Sequence, residues 1–403
     1  ARAESDVRSD VLEAIPDVRG IEVAGELRRW CETIGELAFV VDLHEGGRPE
    51  PVARVLGDVE RVDGRQWLVR PSDGLPVRLW FARESSRGIV AIRATGGEGF
   101  VAALKARADE LGLVIGDRDL RRDGESIGVR EEAGVFAALE LGWVAPELRD
   151  DRRWVADAVR GRLPELVDVE DLGGALHNHT TDSDGLATLE EMAGAALSRG
   201  WGFFGVADHS PAATYANGVD ADRLRAQWAR ADAWNSANPA LRIVKGLEAD
   251  ILADGGLDIP QGCEAGLEYV VASVHSSFKL PREVQTERLV AAVQHSACRI
   301  LGHPTGRLLL GRPGYEVDLD RVLDACAERD VAVEINASPY RLDLDWRWAA
   351  EAVKRGIALV INPDAHSVDG LDNLRWGVAV ARKAGVTKDD LVNCADIGAF
   401  LER

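Results

Sequence analysis

A chain of 403 residues exceeds the usual reach of one hydrophobic core, and its 46% hydrophobic and 29% charged residues fit a soluble protein of two or more domains rather than a disordered or fibrous one. The formal charge of −20 opposes non-specific attraction to a nucleic-acid backbone, so any basic binding surface must be local. No apolar run reaches membrane-spanning length, and the polar start Ala1-Arg2-Ala3-Glu4-Ser5 has no signal-peptide core, so a cytoplasmic location is expected.

Met192 is the single methionine, which reads as a fragment or a processed form. Five cysteines (Cys31, Cys263, Cys298, Cys326 and Cys394) lack a C-x-x-C pair, which argues against a disulfide framework and a zinc ribbon. Strand-like runs are expected at Leu37–Leu43, Gln66–Arg70 and Val77–Phe81, then helices around Gly99–Leu111 and Glu131–Leu141. They make a separate α/β domain over residues 1–150 with a helical end at 96–150. The charged stretch 151–172, which holds Pro164, reads as a linker.

From 173 to 403, β-rich runs alternate with helical ones. The runs Ala175–His179, Phe203–His209, Arg242–Asp250, Tyr269–His275, Arg299–His303, Val331–Asn336 and Ala358–Ala365 predict seven strands. Between them, Leu189–Arg199 reads as a helix opened by a Thr188/Glu191 capping box and stopped by Gly200. Asp222–Trp234, Val284–Ser296, Leu319–Arg329, Asp345–Arg355 and Leu374–Lys383 show similar apolar spacing. This order predicts a parallel sheet, either a barrel or an open doubly wound sheet. Six strands end in His, Glu or Asp-x-His and one in Asn, which favours a barrel, because only a closed sheet focuses all of its strand ends on one mouth.

The pairs His177/His179 and Asp364/His366 each place two potential ligands two residues apart, on one face of a strand. With Asp184, His209, Glu248, His275 and His303 they make nine candidate ligands, too many for one ion. A cluster of two or three divalent cations (Mn²⁺, Zn²⁺ or Fe²⁺) is therefore expected, bridged by Glu248. An isolated histidine is more often structural, and His44 and His295, away from strand ends, are read so; Asp182 is read as a solvated loop residue.

His177-Asn178-His179-Thr180-Thr181-Asp182-Ser183-Asp184-Gly185, Ala207-Asp208-His209-Ser210, Gly246-Leu247-Glu248, Ser273-Val274-His275-Ser276, Gly302-His303-Pro304 and Asn362-Pro363-Asp364-Ala365-His366 resemble the PHP (polymerase and histidinol phosphatase) domain. The resemblance implies a distorted (βα)7 TIM-like barrel over 173–403 with up to three Mn or Zn ions on the nine positions.

Upstream, the segment 25–38 (Gly25-Glu26-Leu27-Arg28-Arg29-Trp30 through Gly35-Glu36-Leu37-Ala38) is similar to the palm of bacterial family X DNA polymerases. Glu131–Leu139 and Pro146–Arg149 are similar to the end of that family's thumb. The implied layout is a palm over 1–95 and a thumb over 96–150. The family's three metal-binding palm aspartates correspond to Glu36, Ala38 and Arg78, and its Gly-Ser reads Gly25-Glu26. Neither alanine nor arginine can hold Mg²⁺, so a dead polymerase is expected, with Arg28 and Arg29 as candidate DNA phosphate contacts.

No nucleophilic serine or cysteine signature is present, so hydrolysis by water activated at the ions is expected. Lys279 and Arg307, each four residues past a ligand histidine, are candidate phosphate partners, and Asp208 is a candidate support for His209. Three readings stand. A metal-dependent 3′-5′ exonuclease or 3′-end-processing nuclease in DNA repair, with abasic sites as a further target, is favoured by the attached palm. The others are a small-molecule phosphomonoesterase resembling histidinol phosphatase and a non-catalytic scaffold.

Overall fold

The computed structural model describes residues 1–61 and 66–402, which divide into two compact units, Ala1–Pro164 and Glu165–Arg403. The division falls inside the stretch expected as linker. Part of that stretch is a helix, Arg153–Val159, which buries Trp154, Val155 and Ala158.

The first unit is built on a five-stranded sheet of β1 (Val18–Ala24), β2 (Leu37–Leu43), β3 (Asp58–Arg61), β4 (Gln66–Arg70) and β5 (Val77–Ala82), in the order β1-β2-β5-β4-β3. Only β2 and β5 pair in parallel. Leu37, Phe39, Val41, Val69, Val77 and Leu79 pack into one core with Leu12. Helices Arg87–Thr95 and Glu98–Glu110 follow. Then comes a small antiparallel sheet of β6 (Leu113–Ile115), β7 (Leu120–Arg122) and β8 (Glu125–Ile127), and a helix Glu132–Ala138. Sequence periodicity misses β1, β3 and β6–β8, whose runs are short or mixed in polarity and are fixed by pairing rather than pattern.

The second unit is a seven-stranded parallel barrel: β9 (Gly174–Ala175), β10 (Phe203–Val206), β11 (Arg242–Asp250), β12 (Tyr269–Ser273), β13 (Cys298–Leu301), β14 (Ala332–Asn336) and β15 (Leu359–Asn362), ordered β9 to β15 around the ring. Between β9 and β15 the ring is nearly closed by asparagines. Asn362 Oδ1 accepts from Leu176 N (2.8 Å), and Asn393 Nδ2 donates to the carbonyls of Gly174 and Ile361 (2.8 Å each). Inside, Leu176, Phe203, Val244, Tyr269, Val271, Ile300, Ala332 and Val360 form an apolar plug. Tyr269 lies across it, its hydroxyl donating toward Leu176 O (2.6 Å), and a Cβ at Gly205 would collide with that hydroxyl and one at Gly246 with the ring. The plug fills the lower barrel and leaves polar residues to the mouth.

The expected capping box is present: Thr188 Oγ1 accepts from Glu191 N (3.2 Å) and Thr188 N donates to Glu191 Oε2 (2.8 Å). Gly200, at φ +81°, follows that helix in a conformation that side chains disfavour. Several strands are shorter than expected. Past them single bonds continue the ladder, as in Ala207 N to Asn178 O (2.8 Å), His179 N to Ala365 O (2.9 Å) and Glu248 N to Asp208 O (3.1 Å). The histidines therefore sit where the backbone leaves the sheet, with room to converge. No helix is long and apolar enough to cross a membrane among the described residues.

Candidate metal centre

All nine expected ligands meet at the C-terminal mouth of the barrel. Glu248, at the end of β11, is buried, and its carboxylate reaches four imidazoles: His177 Nε2 (3.2 Å), His209 Nδ1 (2.8 Å), His275 Nε2 (3.3 Å) and His303 Nε2 (3.0 Å). On one flank, His179 Nε2 lies 3.1 Å from Asp364 Oδ1; on the other, Asp184 Oδ1 lies 3.4 Å from His366 Nε2 and 3.8 Å from His209 Nε2. Three overlapping sets have donor atoms close enough to share an ion: His179/Asp184/His209/His366, His177/His179/Asp364 and His209/Glu248/His275.

The donors fit divalent cations. His177 Nε2, His179 Nδ1, His209 Nδ1, His303 Nδ1 and Glu248 Oε2 are buried and have no hydrogen-bond partner among the described residues. Unpaired buried polar atoms are costly, so such a concentration marks a site shaped for something other than protons. His209 Nδ1 and Glu248 Oε2 are 2.8 Å apart yet misaligned for a hydrogen bond, as two ligands of one ion are when each stands about 2 Å from it.

Charge balance in the metal-free chain says the same. Burial depresses His179 to about 3, with the neighbouring His366 and His209 adding to the effect. At His177, burial is outweighed by Glu248, Glu334 and Asp364, which raise it well above the ordinary range. His275 and His366 likewise rise to about 9 against burial, held by Glu248 and Asp250 in one case and by Asp184 and Asp364 in the other. Glu248 and Asp364 fall well below the usual carboxylate range despite burial, His177 being the largest of the charges that hold them there. Protons on imidazoles supply positive charge that cations would otherwise bring.

Two further carboxylates orient the rings, and the sequence reading missed both. Glu334, in the middle of β14 and fully buried, accepts from His177 Nδ1 (2.7 Å), the backbone N–H of His303 (2.7 Å), Asn362 Nδ2 (3.0 Å) and Asn336 Nδ2 (3.2 Å). An acceptor surrounded by donors fixes the proton of His177 on Nδ1 and leaves Nε2 to face the cluster. Asp250 does the same for His275, at 2.6 Å from Nδ1. The signal was available: a lone Glu in the apolar run Val331–Asn336, and an Asp two residues past Glu248 on the same face of β11. At the rim, Arg341 Nε lies 3.5 Å from Asp364 Oδ2, and Tyr215 sets its ring centroid 6.0 Å from that of His209.

The remaining candidates are placed differently from expectation. Asp208 touches no ligand ring. It accepts from Thr180 N (2.8 Å), Thr180 Oγ1 (2.6 Å), Ser183 Oγ and Gln227 Nε2 (2.6 Å), and so braces the loop that carries Asp184. Asp182 is not solvated, because Gln227 (2.8 Å) and Arg230 engage its carboxylate. Arg307 donates to the carbonyls of Arg341 (3.0 Å) and Leu342, which makes it a brace for that loop rather than a phosphate partner. Lys279 is exposed on the turn after His275. His44 is exposed in the first unit, and His295 Nδ1 accepts from Ala297 N (3.2 Å).

In the first unit, Ala38 and Arg78 are register partners on the parallel pair β2 and β5. Arg78 grips Glu36 in a two-pronged ion pair (Nε–Oε1 2.5 Å, Nη2–Oε2 2.8 Å) at the wall of a cleft of about 900 Å³. A guanidinium stands there against the remaining carboxylate. Glu26 accepts from Gly35 N (2.7 Å). Arg28 and Arg29 are not offered to solvent. Arg28 pairs with Glu132 (2.8 Å) and Glu22 (2.9 Å), and Arg29 pairs with Asp150 (2.7 Å) while donating to Thr95 O (2.7 Å). The expectation of DNA contacts there gives way to internal ion pairs, which join these helical segments more strongly than exposed ones would.

Comparison with known proteins agrees with this geometry. Residues 175–338 match the PHP domain model and residues 90–150 match the DNA polymerase beta thumb model. A DNA polymerase/3′-5′ exonuclease PolX of Bacillus subtilis is 32% identical over 398 residues, covering 94% of this chain and 68% of the relative. A probable phosphatase of Thermoanaerobacter is 27% identical over 245 residues, covering 56% of this chain and 91% of the relative. A probable phosphatase of Aliivibrio fischeri is 31% identical over 133 residues, covering 31% of this chain and 51% of the relative. With a thumb, a seven-stranded barrel and a carboxylate-imidazole cluster in that order, the chain belongs to the PolX family of bacterial family X polymerase/3′-5′ exonucleases, and it is a metal-dependent phosphoester hydrolase.

Proposed function

We propose that the nine residues hold two or three divalent ions (Mn²⁺, Zn²⁺ or Fe²⁺) and that the chain removes nucleotides or blocking groups from DNA 3′ ends, as a repair nuclease of the cytoplasm. Abasic sites are a further target of the same centre. The observation that carries the reading is Glu248, one carboxylate within 3.3 Å of imidazoles from four different strands, the arrangement of a bridging ligand. A relative that is named a 3′-5′ exonuclease and matches along 94% of the chain supports DNA as the substrate. Bound ions lower the pKa of water and neutralise charge on the phosphoryl oxygens. The chain's own residues do the rest. Glu334 and Asp250 hold the imidazole tautomers, Asp208 holds the Asp184 loop, and Arg341 presents a guanidinium beside Asp364 for a non-bridging phosphate oxygen.

The palm no longer polymerises in this reading, because Ala38 offers no ligand and Arg78 neutralises Glu36. The domain layout that goes with it is a degenerate palm over 1–95, a thumb over 96–150 and the phosphoesterase barrel over 173–403. The phosphatase relatives favour a second reading, hydrolysis of a small phosphomonoester at the same cluster. Mn-loaded protein incubated with 3′-recessed and single-stranded DNA, beside histidinol phosphate and a generic monoester, separates the two, with His179→Ala as control. Monoester hydrolysis with DNA untouched would sink the nuclease reading, and full activity in His179→Ala would sink the site.

A further inference from the structure

The large apolar side chains most exposed among the described residues are Leu310 (97%), Leu186 (81%), Tyr340 (74%) and Tyr215 (69%). All four lie on loops that follow barrel strands, on the face that carries the carboxylate-imidazole cluster. Their loops are tied down. Leu186 N donates to His366 O (2.7 Å), and Leu309 N donates to Tyr340 O (2.7 Å), which sets Leu310 beside Tyr340. Tyr340 immediately precedes Arg341. Tyr215 sits on the short turn Thr214–Ala216, which ends at Asn217 in the left-handed conformation, and Asn217 Nδ2 donates to Ser183 O (3.1 Å). The exposure is therefore built into ordered backbone.

Apolar surface held exposed around a polar centre marks a place that something covers. One phenol ring, Tyr215, lies 6.0 Å from the His209 ring of a cluster that takes phosphate, and a second, Tyr340, is carried on the loop whose next residue, Arg341, reaches Asp364 of that cluster (3.5 Å). A strand with unpaired bases needs that combination: a ring face for each base and a cation for the phosphate between. A small phosphomonoester has no neighbouring bases to cover Tyr340 and Leu310.

We infer that the barrel mouth is a platform for single-stranded nucleic acid, on which Tyr215 and Tyr340 stack against unpaired bases either side of the scissile phosphate, with Leu186 and Leu310 as apolar edges. This rests on the phosphodiesterase reading of the cluster. The test compares Mn-loaded wild type with Tyr340→Ala and Tyr215→Ala on a short oligothymidylate and on methyl p-nitrophenyl phosphate, a diester without a base. The kcat/KM ratio of oligonucleotide over small diester is expected to fall roughly 5- to 150-fold in each variant, the contribution of one stacked base. Tyr340→Phe, which keeps the ring, is expected to keep the ratio. Binding is read separately by quenching of a 2-aminopurine near the 3′ end, with Ca²⁺ in place of Mn²⁺. An unchanged ratio in both alanine variants overturns the platform. So does a wild-type dimer that Leu310→Ala/Tyr340→Ala converts to monomer with the ratio unchanged, since the rim would then be a protein interface. A wild type that binds the oligonucleotide with tyrosine-dependent quenching but leaves it intact keeps the platform and loses the nuclease reading, whereas one that binds no oligonucleotide overturns the platform.

Discussion

Replacing Glu334 by Gln is the sharpest perturbation of the metal centre that leaves every proposed ligand in place. Each carboxylate oxygen accepts from two donors, His177 Nδ1 and Asn362 Nδ2 at Oε1, and His303 N and Asn336 Nδ2 at Oε2. An amide must turn its NH₂ toward one of these pairs. On the His303 side it would oppose a backbone N–H, which cannot reverse, so it turns toward His177, whose imidazole can. When His177 gives up one of its two protons to bind an ion, the one that remains is then held on Nε2, the atom that faces Glu248 at 3.2 Å, instead of on Nδ1, and the ring cannot ligate through Nε2. Support lost behind a metal-bound histidine weakens affinity by about 10- to 100-fold, or roughly 1.4–2.7 kcal/mol. That agrees with the ~1.5–3 kcal/mol of a charge-assisted hydrogen bond. Titration of the metal-free protein with Mn²⁺ or Zn²⁺ against a competing chelator reads this directly, with thermal unfolding of the metal-free form as a control for folding. Wild-type affinity in Glu334→Gln would refute the tautomer argument.

Metal uptake should release protons. His275 and His366 stand at about 9 in the metal-free chain and carry protons at neutral pH, so ions must displace them, and affinity should climb as pH rises toward 9; a calorimetric titration in buffers of different ionisation enthalpy that finds no proton release would contradict this. In the first unit, Arg149 is fully buried and grips Glu132 with both prongs (2.6 and 2.9 Å), and Arg28 grips the same carboxylate. Glu132→Ala leaves a buried guanidinium unpaired and should cost about 3–5 kcal/mol in urea unfolding. Because these arginines and their hydrogen bonds outweigh burial and hold Glu132 below its ordinary value, that stability is present at neutral pH and is lost as pH falls through the folded value. Asp343 is the opposite case. Burial, only partly offset by Arg307 and Thr305, raises its carboxyl from 3.8 to about 6, so a penalty on the folded state grows as pH rises through 3.8 and is complete above about 6. Asp343→Asn should therefore add up to about 3 kcal/mol near pH 8 and nothing near pH 3, and an equal effect at both pH values would show that hydrogen bonding rather than charge controls the site.

The barrel was legible because its chemistry is written locally. His177-Asn178-His179 and Asp364-Ala365-His366 declare themselves at two-residue spacing, and the repeated βα order leaves few ways to bring strand ends together. That Ala38 and Arg78 cannot hold an ion was legible for the same reason: neither side chain carries the needed atoms in any fold. Asn362 and Asn393 were not, since their role is to complete the ring across a gap between β9 and β15 that exists only once the sheet curls. The short strands of the first unit escaped because runs of three to seven residues of mixed polarity carry no clear alternation, and it is the pairing that fixes them.

The polar residues show the same division most clearly. Residue type alone determined which groups could ligate an ion, since only certain side chains carry a lone pair of the right kind. Which cations were at liberty to meet a substrate depended on what lay next to them after folding. Arg28, Arg29 and Arg307 read as phosphate contacts until the fold surrounded them with Glu22, Glu132, Asp150 and the carbonyls of the 341–342 loop, whereas Arg341 and Glu334 gained their roles from neighbours more than 20 residues away. A charge in sequence is a property of one residue; its availability is a property of its surroundings, and these are set by tertiary contacts alone.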